Sequence, residues 1–199
     1  MYPLFETICV TQGRVAHPEY HHKRFWASYT QFYGTAPSFG LFDAVTLPSL
    51  EEGGLYKLRV EYNKKGTRHT LEKYQRKRTA HLKLVFDDHI DYGLKYNDRR
   101  RLNDLFALRG QADDILIVRK GLITDGSYAN LLLTDGRQVY TPKHPLLKGC
   151  CRERLLDKGG VRAKDIAVGD LGDFKGFQLI NAMNDYDPNR WLPIQNIVR

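Results

Sequence analysis

The stretch from Leu94 to Leu133, LKYNDRRRLNDLFALRGQADDILIVRKGLITDGSYANLLL, constrains the chain more than any other. A lone lysine, Lys95, precedes a segment in which Leu102, Leu105, Phe106 and Leu108 recur at three- and four-residue steps, the period of an amphipathic helix. Asp113-Asp114 end that pattern, and Ile115 to Val118 read as a buried strand. Lys120-Gly121 then turn the chain into a second short strand, Leu122 to Thr124, which ends at Asp125. The order is lysine, helix, hairpin, carboxylate, and the hairpin gives Asp125 a route back toward Lys95.

That order suits pyridoxal phosphate chemistry. The aldehyde of that cofactor needs an amine nucleophile, which a sheltered lysine supplies as a Schiff base. Its pyridine nitrogen needs an anionic partner, because the protonated ring is the better electron sink. The competing reading is plain: a solvated lysine ahead of a helix, and an aspartate before glycine that only forms a turn.

Further segments decide between the two readings. LFETI (Leu4 to Ile8), HPEYHHKRF (His17 to Phe25), LKYNDR, GLITDGSYANLLL, YTPKHPLLKGCCR (Tyr140 to Arg152) and LINAM (Leu179 to Met183) follow one another over most of the chain. Together they resemble the class IV aminotransferases, the fold-type IV pyridoxal phosphate enzymes that include branched-chain and D-amino acid aminotransferases and aminodeoxychorismate lyase. The resemblance implies a two-lobed α/β (α+β) fold: a small N-terminal α/β lobe over residues 1–88, and a C-terminal β-barrel-like lobe with helices over 89–199. The pattern change at Asp87-Asp88-His89 sets that boundary. It also implies pyridoxal 5′-phosphate in the cleft between the lobes and a homodimer whose partner completes each site.

Residue by residue, the resemblance makes Lys95 the Schiff-base lysine and Asp125 the partner of the pyridine nitrogen, with Asn130 following that carboxylate. Arg24 matches a phosphate-binding arginine, and a guanidinium can meet two phosphate oxygens at once. Gly149-Cys150-Cys151-Arg152 matches a turn entering a helix, where backbone N–H groups of Cys150 and Cys151 can hold phosphate. Asn181-Ala182 matches a second phosphate-side turn. Three departures stand out: aspartate at Asp125 where better-known relatives carry glutamate, a cysteine at Cys151 where a threonine hydroxyl often stands, and Asn97 one position closer to the lysine. Transamination and β-elimination both fit these residues, as does a descendant that has lost catalysis.

The rest of the chain reads as follows. Phe5 to Val10 is a strand with Thr11-Gln12-Gly13 as its turn, and a helix starts at Pro18, with Tyr20, Arg24, Phe25 and Tyr29 near one face. Gly34 to Gly54 is rich in glycine, proline and serine around one short helix, Leu55 to Tyr62 and Thr67 to Tyr74 form a hairpin, and Arg78 to Phe86 is one more strand. Glu153 to Leu156 continue a helix that Gly159-Gly160 stop, and Phe177 to Ile180 is a strand. His17, His21 and His22 lack the acidic cluster that would complete a metal site, and read as helix-surface or core residues.

Composition narrows the alternatives. At 199 residues and 42% hydrophobic, the chain can bury a substantial core. No apolar run approaches the roughly 20 residues that span a membrane, and the start, MYPLFETICV, lacks a secretory pattern. Cys9, Cys150 and Cys151 form neither a disulfide framework nor a zinc spacing, which points to reduced thiols and a cytoplasmic protein. The net charge of +8 favours anionic partners, and much of it lies in Lys64 to Lys83. No RNA-recognition or zinc-finger signature accompanies that charge, so a solvated basic hairpin that steers a small amino or carboxylate substrate is preferred over a nucleic-acid surface. A degenerate cofactor fold or a basic anion-binding protein is the alternative.

Overall fold

The computed structural model describes residues 1–199 and divides them into two units. The first comprises Met1–Arg76 and Leu94–Asp98; the second comprises Lys77–Gly93 and Arg99–Arg199. The division therefore falls at Arg76 rather than at 88/89, and the short segment with Lys95 returns to the first unit.

In the first unit, β1 (Leu4–Thr11) and β2 (Arg14–Val15) form a hairpin, α1 follows (Pro18–Tyr33), and β3 (Leu55–Asn63) and β4 (Gly66–Lys73) form a second hairpin. The sheet order is β2-β1-β3-β4, antiparallel throughout. Gln12 and Gly13 both have positive φ, 51° and 69°, the conformation that lets a two-residue turn follow the strand twist. Along β1, Leu4, Glu6, Ile8 and Val10 share one buried face, as a period of two requires. Helix α1 has Pro18 at its first turn, and it stops at Gly34, whose φ of 73° suits a residue without Cβ. Phe25 lies edge-on to Tyr62 of β3 with centroids 4.9 Å apart, which seats the helix on the sheet.

Residues 34–54 form no helix. Prolines and glycines through the segment deny it a continuous run of turns, and it instead lays Leu41, Phe39, Phe42, Val45, Leu47 and Leu50 over the same core. Leu94–Asp98 runs beside β1: Phe5 N donates to Lys95 O at 3.1 Å and Asn97 N to Pro3 O at 2.8 Å. The backbone of Lys95 is thus fixed to the strand that carries Glu6.

The second unit holds β5 (Leu82–Phe86), α2 (Arg100–Ala107), β6 (Asp114–Arg119), β7 (Leu122–Gly126), β8 (Asn130–Thr134), β9 (Val139–Pro142), α3 (Cys150–Asp157), β10 (Arg162–Lys164), β11 (Gly176–Ile180), β12 (Leu192–Pro193) and β13 (Ile197–Val198). They form a nine-stranded mixed sheet in the order β10-β9-β8-β7-β6-β5-β13, with β11 branching from β8 and carrying β12. Strand β5 starts at Leu82 rather than Arg78, because the N–H groups of Ala80 and His81 are taken by the Asp113 carboxylate. Leu108 lies past the end of α2 and is exposed, so the apolar face of that helix is Leu102 and Leu105. Lys120 and Gly121 have φ of 52° and 76°, and their two-residue turn fixes the β6–β7 register from which Asp125 emerges.

No helix is long and apolar enough to cross a membrane. The Phe25 contact makes a simple test of the first core. Phe25→Ala should lower unfolding stability by about 3–5 kcal/mol in urea titration, the cost of a buried aromatic cavity; a loss under about 1 kcal/mol would show that α1 is not held by that contact.

Candidate functional site

Each unit builds its own half of the candidate residues. In the first, the buried face of β1 carries a carboxylate among aliphatics: Glu6 is fully buried between Leu4 and Ile8. An isolated charge there would be costly, and α1 supplies the partners. His21 and Arg24 lie three residues apart on the helix, on the side that reaches Glu6. Arg24 donates from Nε to Oε1 at 2.8 Å and from Nη2 to Oε2 at 2.5 Å, and His21 Nδ1 lies 2.7 Å from Oε2. Burial raises the Glu6 pKa, but the Arg24 charge and the His21 and Arg24 hydrogen bonds outweigh it and bring it from 4.5 down to about 2. Arg24 therefore spends its Nε–Nη2 edge on Glu6.

Lys95 lies with Nζ 4.8 Å from the centre of the Phe5 ring, and the Arg59 guanidinium lies 3.6 Å from the same centre. Arg59 is held by Asn97 Oδ1 and, at 3.4 Å, by Glu61; Asn97 also donates to Tyr2 O at 2.5 Å. The displaced asparagine of the sequence motif thus orients an arginine rather than standing free. On the neighbouring basic hairpin, Lys57 pairs with Glu72 and Arg68 with Glu61 across the strands, and Lys73 pairs with Glu51.

The second unit brings together Asp125, Asn130, Gly149 and Asn181. Asp125 pairs with Asn130 across β7 and β8, and Asn130 pairs with Ile180 of β11, which places Asn181 one residue further on. The Asp125 carboxylate is buried; Oδ1 accepts from Asn130 Nδ2 at 2.8 Å and Oδ2 from Leu147 N at 3.0 Å. Desolvation dominates and lifts its pKa from 3.8 to about 6, even though the Leu147 N–H, Asn130 and Arg152 pull it down. Asn130 Nδ2 also donates to Leu147 O at 2.8 Å. Gly149 lies against Asn130 Oδ1 so closely that a Cβ would collide with it, which explains glycine at the start of α3.

The remaining matched residues are engaged locally. Asn181 Oδ1 accepts from Met183 N and Asn184 N at 2.9 and 3.0 Å, closing the turn with Ala182, and its Nδ2 donates to Tyr128 O at 3.2 Å. Cys151 donates its thiol to Asp185 Oδ1 at 3.2 Å, and burial, followed by Asp185, pushes its pKa up to about 12. That thiol, committed to Asp185 and held protonated, is not a nucleophile in this arrangement. Arg152 is buried, donating to Pro142 O at 2.8 Å and Glu153 at 2.6 Å, while its Nε has no partner.

Sequence reasoning missed Glu6, His21 and Arg59. The first two had a signal: a glutamate in phase with Leu4, Ile8 and Val10, and a histidine and arginine spaced along one helical face. Arg59 had none beyond its place in an alternating strand.

Comparison with known proteins agrees with this arrangement. The family model for amino-transferase class IV matches residues 3–197. An uncharacterised protein of Haemophilus influenzae is 39% identical over 186 residues, covering 92% of this chain and 99% of its own. The crystal structure of a candidate 4-amino-4-deoxychorismate lyase from Haemophilus somnus superposes with a TM-score of 0.83 at 34% identity, covering 94% of this chain and 98% of that one. A hypothetical aminotransferase from Mycobacterium tuberculosis, solved in its PLP-bound form, shares the fold at TM-score 0.71 and 17% identity, covering 98% and 81%. The mixed α/β architecture is that of the fold-type IV pyridoxal phosphate enzymes.

The two buried carboxylates make opposite contributions to stability. Glu6, with its pKa depressed, stabilises the fold above pH 4.5, and that contribution is lost as pH falls toward about 2. Asp125, with its pKa raised, is least costly below pH 3.8 and destabilises progressively as pH rises through about 6. Glu6→Gln should therefore lose on the order of 3 kcal/mol at pH 7, with the gap to wild type closing between pH 4.5 and about 2. Urea unfolding across that range is the check, and a gap independent of pH would contradict the assignment.

Proposed function

We propose, from the premise that this chain belongs to the class IV aminotransferase family, that it is an enzyme that binds pyridoxal 5′-phosphate and acts on a small amino-carboxylate. The observation that carries the reading is Asp125: a carboxylate buried in the second unit, with a pKa raised to about 6. A buried anion in that condition gains from a cationic partner, and a protonated pyridine nitrogen is such a partner, so the residues fit the cofactor. When bound, pyridoxal phosphate supplies an electron sink for the substrate's α-carbon.

The chain's own residues then have distinct tasks. Asn130 and the Leu147 N–H hold the Asp125 carboxylate in one orientation. In the second unit, the backbone N–H groups at the start of α3 and the Asn181-Ala182 turn would hold the phosphate; in the first, Glu6 and His21 fix the guanidinium of Arg24, the arginine that the family resemblance assigns to phosphate. Lys95 supplies the amine, takes the substrate's α-proton and returns one, as base and then acid. Asp125 would be the anionic partner of the ring nitrogen and favour its protonated form.

Similarity to the Haemophilus somnus lyase favours elimination over amino transfer. In that branch 4-amino-4-deoxychorismate would yield pyruvate and an aromatic amine. We place the protein in the cytoplasm as a homodimer. The three free cysteines support a reducing compartment, and light scattering of the purified protein tests the dimer.

Wild-type protein with added cofactor should show visible absorbance that borohydride bleaches, and Lys95→Ala should lose it while remaining folded. Asp125→Asn should still bind cofactor but turn over more slowly by a factor on the order of 10², about 2.7 kcal/mol of transition-state stabilisation. Asp125→Glu, the family's longer carboxylate, should keep most activity. If both Asp125 variants leave spectrum and rate unchanged, Asp125 is only a turn residue and the reading fails.

A further inference from the structure

Strands β6 and β7 fall out of step at the carboxylate. Leu116 pairs with Gly126 and Val118 with Ile123, so Thr124 and Asp125 together face the single residue Ile117. A two-against-one bulge of this kind interrupts the ladder and re-aims the side chains it carries. Thr124 is 1% exposed, and its hydroxyl donates to Ile117 O at 2.8 Å, restoring across the bulge a bond between the two strands.

The turn that follows, Gly126 to Ala129, is held from outside. Gly126 N donates to Ala129 O at 2.9 Å, which closes it. Asp114, at the start of β6, accepts on Oδ1 from Ser127 N at 3.3 Å and from Ile115 N at 2.8 Å. Arg99 Nη2 donates to Ser127 O at 2.7 Å, and its guanidinium lies 4.1 Å from the centre of the Tyr128 ring. Arg99 Nη1 is in turn 3.1 Å from Tyr92 Oη. Both backbone polar groups of Ser127 are therefore taken by buried or braced side chains. The turn joins Asp125 to Asn130, whose side chains share a hydrogen bond, so its placement sets the geometry of that pair.

We propose that Thr124 and Asp114 are positioning residues for Asp125: Thr124 locks the bulge, Asp114 with Arg99 locks the turn, and together they aim the carboxylate at Asn130, the Leu147 N–H and the ring nitrogen. The proposal rests on the reading of Asp125 as that nitrogen's partner. What Asp114 supplies is an acceptor oxygen at a fixed place, Oδ1, which meets the N–H groups of both Ile115 and Ser127. The donors that meet Asp125 are what limit its upward shift, so loss of position has a titration signature.

The test is a carbon-13 carboxyl titration of Asp125 in the cofactor-free protein, followed by cofactor affinity and visible spectrum. Thr124→Val keeps shape but removes the donor. It should raise the Asp125 midpoint by about one unit and weaken pyridoxal phosphate binding roughly tenfold. Thr124→Ser should restore both values. Asp114→Ala should act like Thr124→Val, whereas Asp114→Asn, which keeps an acceptor oxygen, should resemble wild type. The proposal is overturned if Thr124→Val and Asp114→Ala leave the Asp125 midpoint in place. Equal impairment by Thr124→Ser and Thr124→Val, or by Asp114→Asn and Asp114→Ala, overturns it as well. Should Thr124→Val fail to fold, the Asp114 pair decides on the same criterion. The titration contains no cofactor. It therefore judges the positioning claim even if Asp125→Asn leaves the cofactor spectrum unchanged and the reading of Asp125 itself falls.

Discussion

A carboxylate taken out of water is the constraint on which the second unit turns. Asp125 sits at a break in the β6–β7 ladder, and its charge is opposed by desolvation more than it is favoured by the donors around it. Much of the local architecture follows from that cost. Asn130 must lie beside it, which requires glycine at position 149. Leu147 must turn its N–H inward, and the chain between Asp125 and Asn130 must be gripped so the pair stays registered. Natural sequences accept such local expense mainly where function needs it.

The first unit solves the same problem with the opposite sign. Glu6 is as deeply buried, yet Arg24 and His21 more than repay its desolvation. A carboxylate satisfied in this way works as structure: it fixes an arginine and a helix to a strand. A carboxylate left under-compensated, as Asp125 is, has interaction energy to offer a ligand. The contrast between these two groups distinguishes a buried ion pair from a candidate binding residue.

Much of this was legible in the residues. The hairpin signal at Lys120-Gly121, the helix after Lys95, the strand Phe5 to Val10 with its turn, and the hairpin that starts at Leu55 all express local rules, and the structure follows them. The order of motifs was enough to identify the family. What could not be read depends on long-range pairing. The bulge opposite Ile117 arises from register between strands, the Leu147 N–H reaches Asp125 from a loop, and Leu94–Asp98 leaves its sequence neighbours to run along β1. A one-residue slip in pairing is invisible to a pattern of hydrophobicity, though it redirects every side chain beyond it. The short helix expected between Gly34 and Gly54 failed for a related reason: its apolar residues answer to the core of α1 and the sheet rather than to one another.

The central claim is that this chain holds pyridoxal phosphate through Lys95, and peptide mapping after borohydride reduction of the cofactor-loaded protein tests it most directly. The account predicts a pyridoxyl adduct confined to the peptide that carries Lys95. An adduct on another lysine, such as Lys83 or Lys120, or no adduct at all under saturating cofactor, would contradict it.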